Sequence, residues 1–223
     1  MSRPRLALIN AAHAAFDTRR NFRRELDADL VEFHVADEQY PDGFAFDGFV
    51  VTGSRSSVYW DEPWLDPTKE WVAEAIDRGL PALGICFGHQ LLADVLGGTV
   101  EAMDEYEIGY REIEQVADDP LFDGLDDSFL CFTTHSDAVT ELPPGATLIA
   151  ENDYGVHGFR LGNVVGVQAH PEYDQTTAEG ITRSKDLPDE RIEAVCAGIT
   201  DENYARACET KRLFDNFLHE MRA

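Results

Sequence analysis

The sequence predicts an α/β fold: one domain, residues 1–223, with a mostly parallel central sheet flanked by helices and extended by a β-rich insertion. Three observations predict it. In the first half, short apolar runs alternate with amphipathic segments, and strands separated by helices must cross over and so pair in parallel. From roughly Thr99 to His170 the helical pattern gives way to short strand-like runs punctuated by Gly, Pro and Asn-Asp. The C-terminal third returns to helical spacing. No repeat, low-complexity tract or Gly/Ser/Pro-rich linker divides the chain, which is long enough to bury a full core as one unit.

Taken in order, RLALIN reads as the first strand and a charged helix near Thr18 to Ala28 follows. LVEFHVA and DGFVVTG read as the second and third strands, the last an apolar run ending in a turn. DPTKEWVAEAIDRG predicts a helix with Asp66 as N-cap, Pro67 as first helical residue, Trp71, Val72, Ala75 and Ile76 on one face and Gly79 as the stop. PALGI is a strand, and HQLLADVLGG a helix whose inward stripe is Leu91, Leu92, Val95 and Leu96. IGYREIEQV, FLCFTTHSDAV, ATLIAEN, HGFRLGN and VVGVQAH make the β-rich middle. Beyond it, Ile192, Val195, Cys196 and Ile199 share one helical face, and Leu213, Phe214, Phe217, Leu218 and Met221 another.

The formal charge of −25 comes from 43 acidic residues spread over most surface-like segments against 18 basic ones. That balance excludes nucleic-acid backbone and anionic membrane as partners, because like charges repel. It suits a salt-rich cytoplasm, where ions screen the self-repulsion. The fold is therefore expected to be more stable in molar potassium chloride than in dilute buffer, and equal thermal midpoints in the two would contradict this. No apolar run approaches a membrane span, and MSRPRLALIN lacks the pattern of a secretory signal, so a cytoplasmic location is expected. Cys86, Cys131, Cys196 and Cys208 form no CxxC pair and have no metal-like spacing; free thiols in a reducing compartment are expected, with no metal and no cofactor.

The stretch GICFGHQ, Gly84 to Gln90, carries the chemistry. A strand running into Gly-x-Cys-x-Gly and straight on into a helix has the layout of a nucleophile elbow, in which a tight turn lifts the central side chain above the sheet edge. Gly84 and Gly88 stand where Cβ atoms would collide, and Cys86 sits at the positive end of the helix, which favours thiolate. Free cysteines are mostly buried small hydrophobes, but this location turns the balance toward a nucleophile. A base must then take and return the proton. His89 lies at the helix start pointing away from the thiol and is assigned a structural role. His170, just after the apolar strand VVGVQ, reaches the C-terminal edge of a parallel sheet, where ligands bind. Glu172, two residues on across Pro171, supplies the carboxylate that would orient it.

With VTGSRSSV, GICFGHQ, IGY, DPLFDGL, THSDAV and VQAHPE in this order, the chain resembles the class I, or triad-type, glutamine amidotransferases, especially the glutaminase domain of GMP synthetase and its stand-alone relatives. The resemblance covers most of the chain and implies the flavodoxin-like fold of that family. It further implies that Cys86 attacks the side-chain amide of glutamine to give a γ-glutamyl thioester and ammonia, with His170 as acid and base and Glu172 holding His170. The oxyanion would be met by the backbone N–H of Phe87 and by Gly53 or Ser54, where relatives often carry Gly-Gly-Pro and this chain carries Gly-Ser-Arg. Gln90, Ser136 and Asp137 match positions that bind the substrate. Tyr110 is assigned to packing, and His135 alone is equally a structural histidine.

Ammonia released into neutral water is protonated and stops being a nucleophile, so it needs an acceptor site. The sequence has no GxxxxGK[ST] or SGGxDS-like loop, and VTGSRSSV lacks the lysine and glycines of a phosphate cradle. The acceptor is expected to be a separate synthase chain that docks over Cys86 and reshapes the Gly53–Arg55 loop. The rivals are a γ-glutamyl peptide hydrolase on the same scaffold and a catalytically idle glutamine-binding regulator. The intact Cys86, His170 and Glu172 set speaks against the second.

Overall fold

The computed structural model describes residues 3–222, so Met1 and Ser2 of the opening stretch lie outside the described residues. Among the described residues nine strands form one mixed sheet: β1 (Arg5–Asn10), β2 (Asp29–His34), β3 (Gly48–Val51), β4 (Ala82–Ile85), β5 (Thr99–Gln115), β6 (Ser128–Glu141), β7 (Thr147–Asn152), β8 (Gly155–Leu161) and β9 (Val164–Val167). Their order across the sheet is β2-β1-β3-β4-β9-β8-β7-β5-β6. The five strands from β2 to β9 pair in parallel, and every pairing beyond β9 is antiparallel. The β-rich insertion therefore lies between β4 and β9 in sequence but outside them in space. Its last strand leads back into the centre, with Ile85 opposite Val167.

The strands of the parallel half are apolar along their length because both faces are covered. Leu6 and Leu8 point to one side, where helix α1 (Ala15–Glu25) brings Phe22 and helix α7 (Arg212–Glu220) brings Phe214, Phe217 and Leu218. Ala7 and Ile9 point to the other, against Trp71, Val72 and Ala75 of α2 (Leu65–Asp77) and Leu91 and Leu92 of α3 (Phe87–Val95). A third, smaller cluster joins Ile108 and Phe132 to Ala178 of α4 (Gln175–Arg183), with Val195 of α5 (Asp189–Ala197) packed on it. The last long-range layer is α6 (Asp201–Ala207) against β6. No helix among the described residues is long and apolar enough to cross a membrane.

Three expectations are corrected. The α2 helix begins at Leu65 with Trp64 as N-cap, so Asp66 and Pro67 fall inside its first turn. Trp64 is buried and its carbonyl accepts from both the N–H and the hydroxyl of Thr68, which starts the helix early. The first helix spans Ala15–Glu25, earlier than Thr18 to Ala28, because Asp29 already pairs with Arg5 in the sheet. The helical face expected to hold Ile192, Val195, Cys196 and Ile199 is cut short: α5 ends at Ala197, so Ile199 lies past the helix, although it still packs with Val195 on the outer cluster. The expected stop at Gly79 stands: its φ of +82° is the left-handed region glycine tolerates.

Candidate active site

Four loops at the C-terminal ends of β1, β3, β4 and β9 meet at one edge of the parallel half, the edge where such sheets bind ligands. Cys86 is the single residue between β4 and α3. Its φ of 54° with ψ of −105° is a conformation that costs a non-glycine residue about 1–3 kcal/mol and persists only where its surroundings enforce it. Here they do: its N–H donates to Val167 O at 2.9 Å and its carbonyl takes the first helical bond, from Gln90 N at 3.1 Å. A Cβ on Gly84 would lie 2.4 Å from Gly88 O, and one on Gly88 would lie 2.2 Å from Val51 O. The obstacle at Gly88 is Val51 of β3, chiefly its backbone, which cannot swing aside, so Gly88→Ala is expected to lose more than about 3 kcal/mol, read as a drop in the denaturant midpoint.

His170 follows β9 and is pinned from the insertion, its N–H donating to Phe132 O of β6 at 2.8 Å. Its Nδ1–H donates to Glu172 Oε1 at 2.8 Å, both side chains being almost wholly buried. The Tyr173 ring stacks on the imidazole with centroids 4.2 Å apart, and Arg24 of α1 donates to Glu172 O at 2.7 Å. The thiol of Cys86 points at Thr134 O, 3.9 Å away. Gly53 closes the gap: a Cβ there would stand 2.9 Å from His170 Cε1 and 3.8 Å from Cys86 Cβ.

Burial on its own would lower the pKa of His170, but the charges of Cys86 and Glu172 and the hydrogen bond to Glu172 push it up to about 10. The imidazole therefore carries its extra proton at neutral pH. Because the folded value lies above the ordinary 6.5, this interaction stabilises the fold fully below pH 6.5 and is lost as pH rises through about 10. The stability gap between wild type and His170→Asn is expected to be flat in acid and to shrink across that window, which urea titrations at several pH values would read.

Two cavities flank this set. One of about 240 Å³ is lined by Cys86, Gln90, Ser136 and Asp137, with Ser54 at its rim. The other, about 290 Å³, is lined by Gly53, Ser54, His170, Glu172 and Tyr173 together with His13 from the β1 loop. All the residues singled out in the sequence gather here except Phe87. Its side chain is buried against Trp64, while its N–H, at the first turn of α3, has no intrahelical acceptor.

Ser54 Oγ turns back to accept from Ser56 N at 3.2 Å. Ser136 is exposed, whereas Asp137 is buried and accepts from the hydroxyls of Ser57 and Tyr59. Gln90 Nε2 donates to Asp137 O at 2.8 Å and to Gln168 Oε1 at 3.0 Å, which ties α3 to the far wall. His89 is fully buried on Phe159, its rings 5.1 Å apart, and burial drops its pKa to about 3. Tyr110 packs edge-on against Phe132 at 5.3 Å.

One cluster behind the site escaped the sequence. Glu107, fully buried on β5, accepts at Oε2 from His135 Nε2 (2.5 Å) and His157 Nε2 (3.0 Å), and at Oε1 from Asn152 (2.7 Å). His135 Nδ1 then donates to Asp137 O at 2.9 Å, the carbonyl that also holds Gln90. Glu107, His135 and His157 carry metal-ligand chemistry, but each histidine nitrogen stands at hydrogen-bond separation from Glu107 Oε2, 2.5 and 3.0 Å, tighter than the roughly 3.3 Å between ligands around a tetrahedral zinc with bonds of about 2.0 Å. All four cysteines are free.

The architecture and the elbow define a class: α/β proteins that hold a thiol at a strand-to-helix turn over the edge of a parallel sheet. Residues 18–184 match the family described as glutamine amidotransferase class-I, and the chain belongs to that family. It is 38% identical over 130 residues to a GMP synthase [glutamine-hydrolyzing] of Thermomicrobium roseum, an alignment covering 58% of this chain and 24% of that protein. It is 36% identical over 154 residues to gamma-glutamyl peptidase 5 of Arabidopsis thaliana, covering 64% of this chain and 61% of that one. The chain thus spans about a quarter of the one relative and under two thirds of the other. Among solved structures, a glutamine amidotransferase from Thermotoga maritima superposes with a TM-score of 0.83 at 24% identity, covering 99% of each chain, a likeness of fold.

Proposed function

We propose that the chain hydrolyses the side-chain amide of glutamine through a cysteinyl γ-glutamyl thioester, with Cys86 as nucleophile, His170 as acid and base and Glu172 as the residue that holds His170. The observation that carries this reading is the strained Cys86 beside an imidazole bonded to a buried carboxylate. The thiolate adds to the amide carbon, and the oxyanion is met by the N–H of Phe87 and by the Gly53–Ser54 segment. His170 then gives its proton to the departing nitrogen, the C–N bond breaks and ammonia leaves. Water, losing a proton to His170, cleaves the thioester to glutamate and restores the thiol. Gln90, Ser136 and Asp137 line the space for the amino-acid end.

A separate synthase chain would accept the ammonia; the likeness to a GMP synthase [glutamine-hydrolyzing], a protein whose name pairs glutamine hydrolysis with a synthase, supports an ammonia acceptor of that kind. A second reading, cleavage of γ-glutamyl peptides, is favoured by the cavity of about 290 Å³ on the His170 side, where the leaving group departs and where ammonia alone needs little room. Labelling with a glutamine-analogue chloroketone, followed by peptide mapping, should place one adduct on Cys86. Release of glutamate from glutamine and from γ-glutamyl peptides should then rank the two substrates. No adduct and no release from either would overturn the reading in favour of an idle binding protein.

A further inference from the structure

The two cavities share a boundary formed by Ser54, Arg55, Thr134 and Lys185. Among the described residues Arg55 and Lys185 are the only Lys or Arg side chains lining either cavity. In a chain with 43 acidic and 18 basic residues, a cation readily finds a carboxylate, and most here do: Arg20 and Arg24 pair with Asp174, Arg160 with Asp119 and Lys211 with Glu25. Arg55 and Lys185 do not. Neither has an acidic partner within 4.0 Å among the described residues, although Asp17 and Asp186 stand on the same cavity walls.

What does hold them is neutral. Arg55 Nη2 donates to Ser184 Oγ at 2.9 Å, which reaches from the β3 loop across to the C-terminal end of α4. Lys185 Nζ lies over the Tyr106 ring, 5.2 Å from its centroid. A hydroxyl and a ring face orient a cation without cancelling its charge. The result is two uncancelled positive charges, one residue from Ser54 and one beside Ser184, at the junction of the thiol cavity and the imidazole cavity. The surrounding field is otherwise strongly negative and would repel an anionic substrate.

Resting on the reading of the site given above, we propose that Arg55 and Lys185 recognise a carboxylate of the γ-glutamyl substrate and so fix its position across the two cavities. An arginine supplies a planar fork for a carboxylate and a lysine a point charge, so the pair suits one carboxylate approached from two sides. That carboxylate has two possible sources. One is the α-carboxylate of the γ-glutamyl group; the other is a carboxylate on an amino-acid leaving group. The Gly-Ser-Arg variation in the β3 loop then has a purpose: it brings a cation to the rim that a Gly-Gly-Pro loop lacks.

The test is calorimetric binding to the Cys86→Ser chain, which separates recognition from turnover. The ligands are L-glutamine, γ-glutamylglycine and 4-aminobutanamide, which has no carboxylate. Arg55→Gln combined with Lys185→Gln is expected to weaken binding of the carboxylate ligands by about tenfold or more, the scale of losing a charge-assisted contact, and to leave 4-aminobutanamide unchanged. Equal losses for L-glutamine and γ-glutamylglycine assign the contact to the α-carboxylate, and a loss confined to γ-glutamylglycine assigns it to the leaving group. Arg55→Lys should recover part of the affinity.

Binding of all three ligands within about twofold of the parent, an equal loss for 4-aminobutanamide, or no binding of any carboxylate ligand would overturn the proposal. Turnover by the wild-type chain is read separately. A chain that binds carboxylates through these cations yet releases no glutamate overturns the proposed function and leaves this inference standing.

Discussion

Cys86→Ala is expected to lower kcat/KM for glutamine by roughly four to six orders of magnitude, with little change in thermal midpoint. The proposed chemistry has no other route to a thioester once the sulfur is gone, and what remains is orientation and oxyanion contacts. The alanine retains the same Cβ at the same strained turn, so the elbow keeps its bonds to Val167 and Gln90. Glutamate release measured with a coupled dehydrogenase would read the loss; an activity within about tenfold of wild type would remove Cys86 from the mechanism. Glu172→Gln should fall between the two, because it keeps the shape of the acceptor while withdrawing one of the charges that keep His170 protonated.

Glu107→Ala is expected to cost about 3–5 kcal/mol of folding stability, enough to unfold much of a marginal domain. The carboxylate is wholly buried and takes hydrogen bonds from His135, His157 and Asn152, all of which would be left facing a void. Burial would raise its pKa, but the two histidines hold it well below the usual carboxylate range. For a depressed carboxyl the stabilisation is present above the ordinary value near 4.5 and is lost as pH falls through the folded one. The advantage of wild type over Glu107→Gln should therefore shrink in acid, as followed by denaturant midpoints. Because His135 and Gln90 share the Asp137 carbonyl, the damage would also reach the wall of the thiol cavity.

The parallel half was legible because its signals are local. Apolar runs end in glycines, and the elbow writes its own geometry as Gly84-x-Cys86-x-Gly88. His170 and Glu172 were legible from their spacing, but the expected extended segment is corrected: Pro171 and Glu172 form a turn in which Tyr173 N–H donates to His170 O at 3.3 Å, and it is this turn that brings the carboxylate back to the imidazole. What the sequence did not show is pairing over long distances. Nothing in EIGY marks Glu107 as the partner of His135 and His157, because the antiparallel register that brings them together is set by the whole insertion. Trp64 as the start of α2 was hidden too, since burial outweighed the capping chemistry of Asp66. Tyr173 and Arg24 also support the His170–Glu172 pair, and only the ring stack and the carbonyl contact reveal them.

The place of β9 between β4 and β8 has a temporal consequence. Cys86 leaves the ribosome some eighty residues ahead of His170, the base of the proposed chemistry, and until the late strand slots into the middle, the half-made sheet has two open seams. Under the proposed chemistry a growing chain would lack the base for its thiol until this final central strand takes its place.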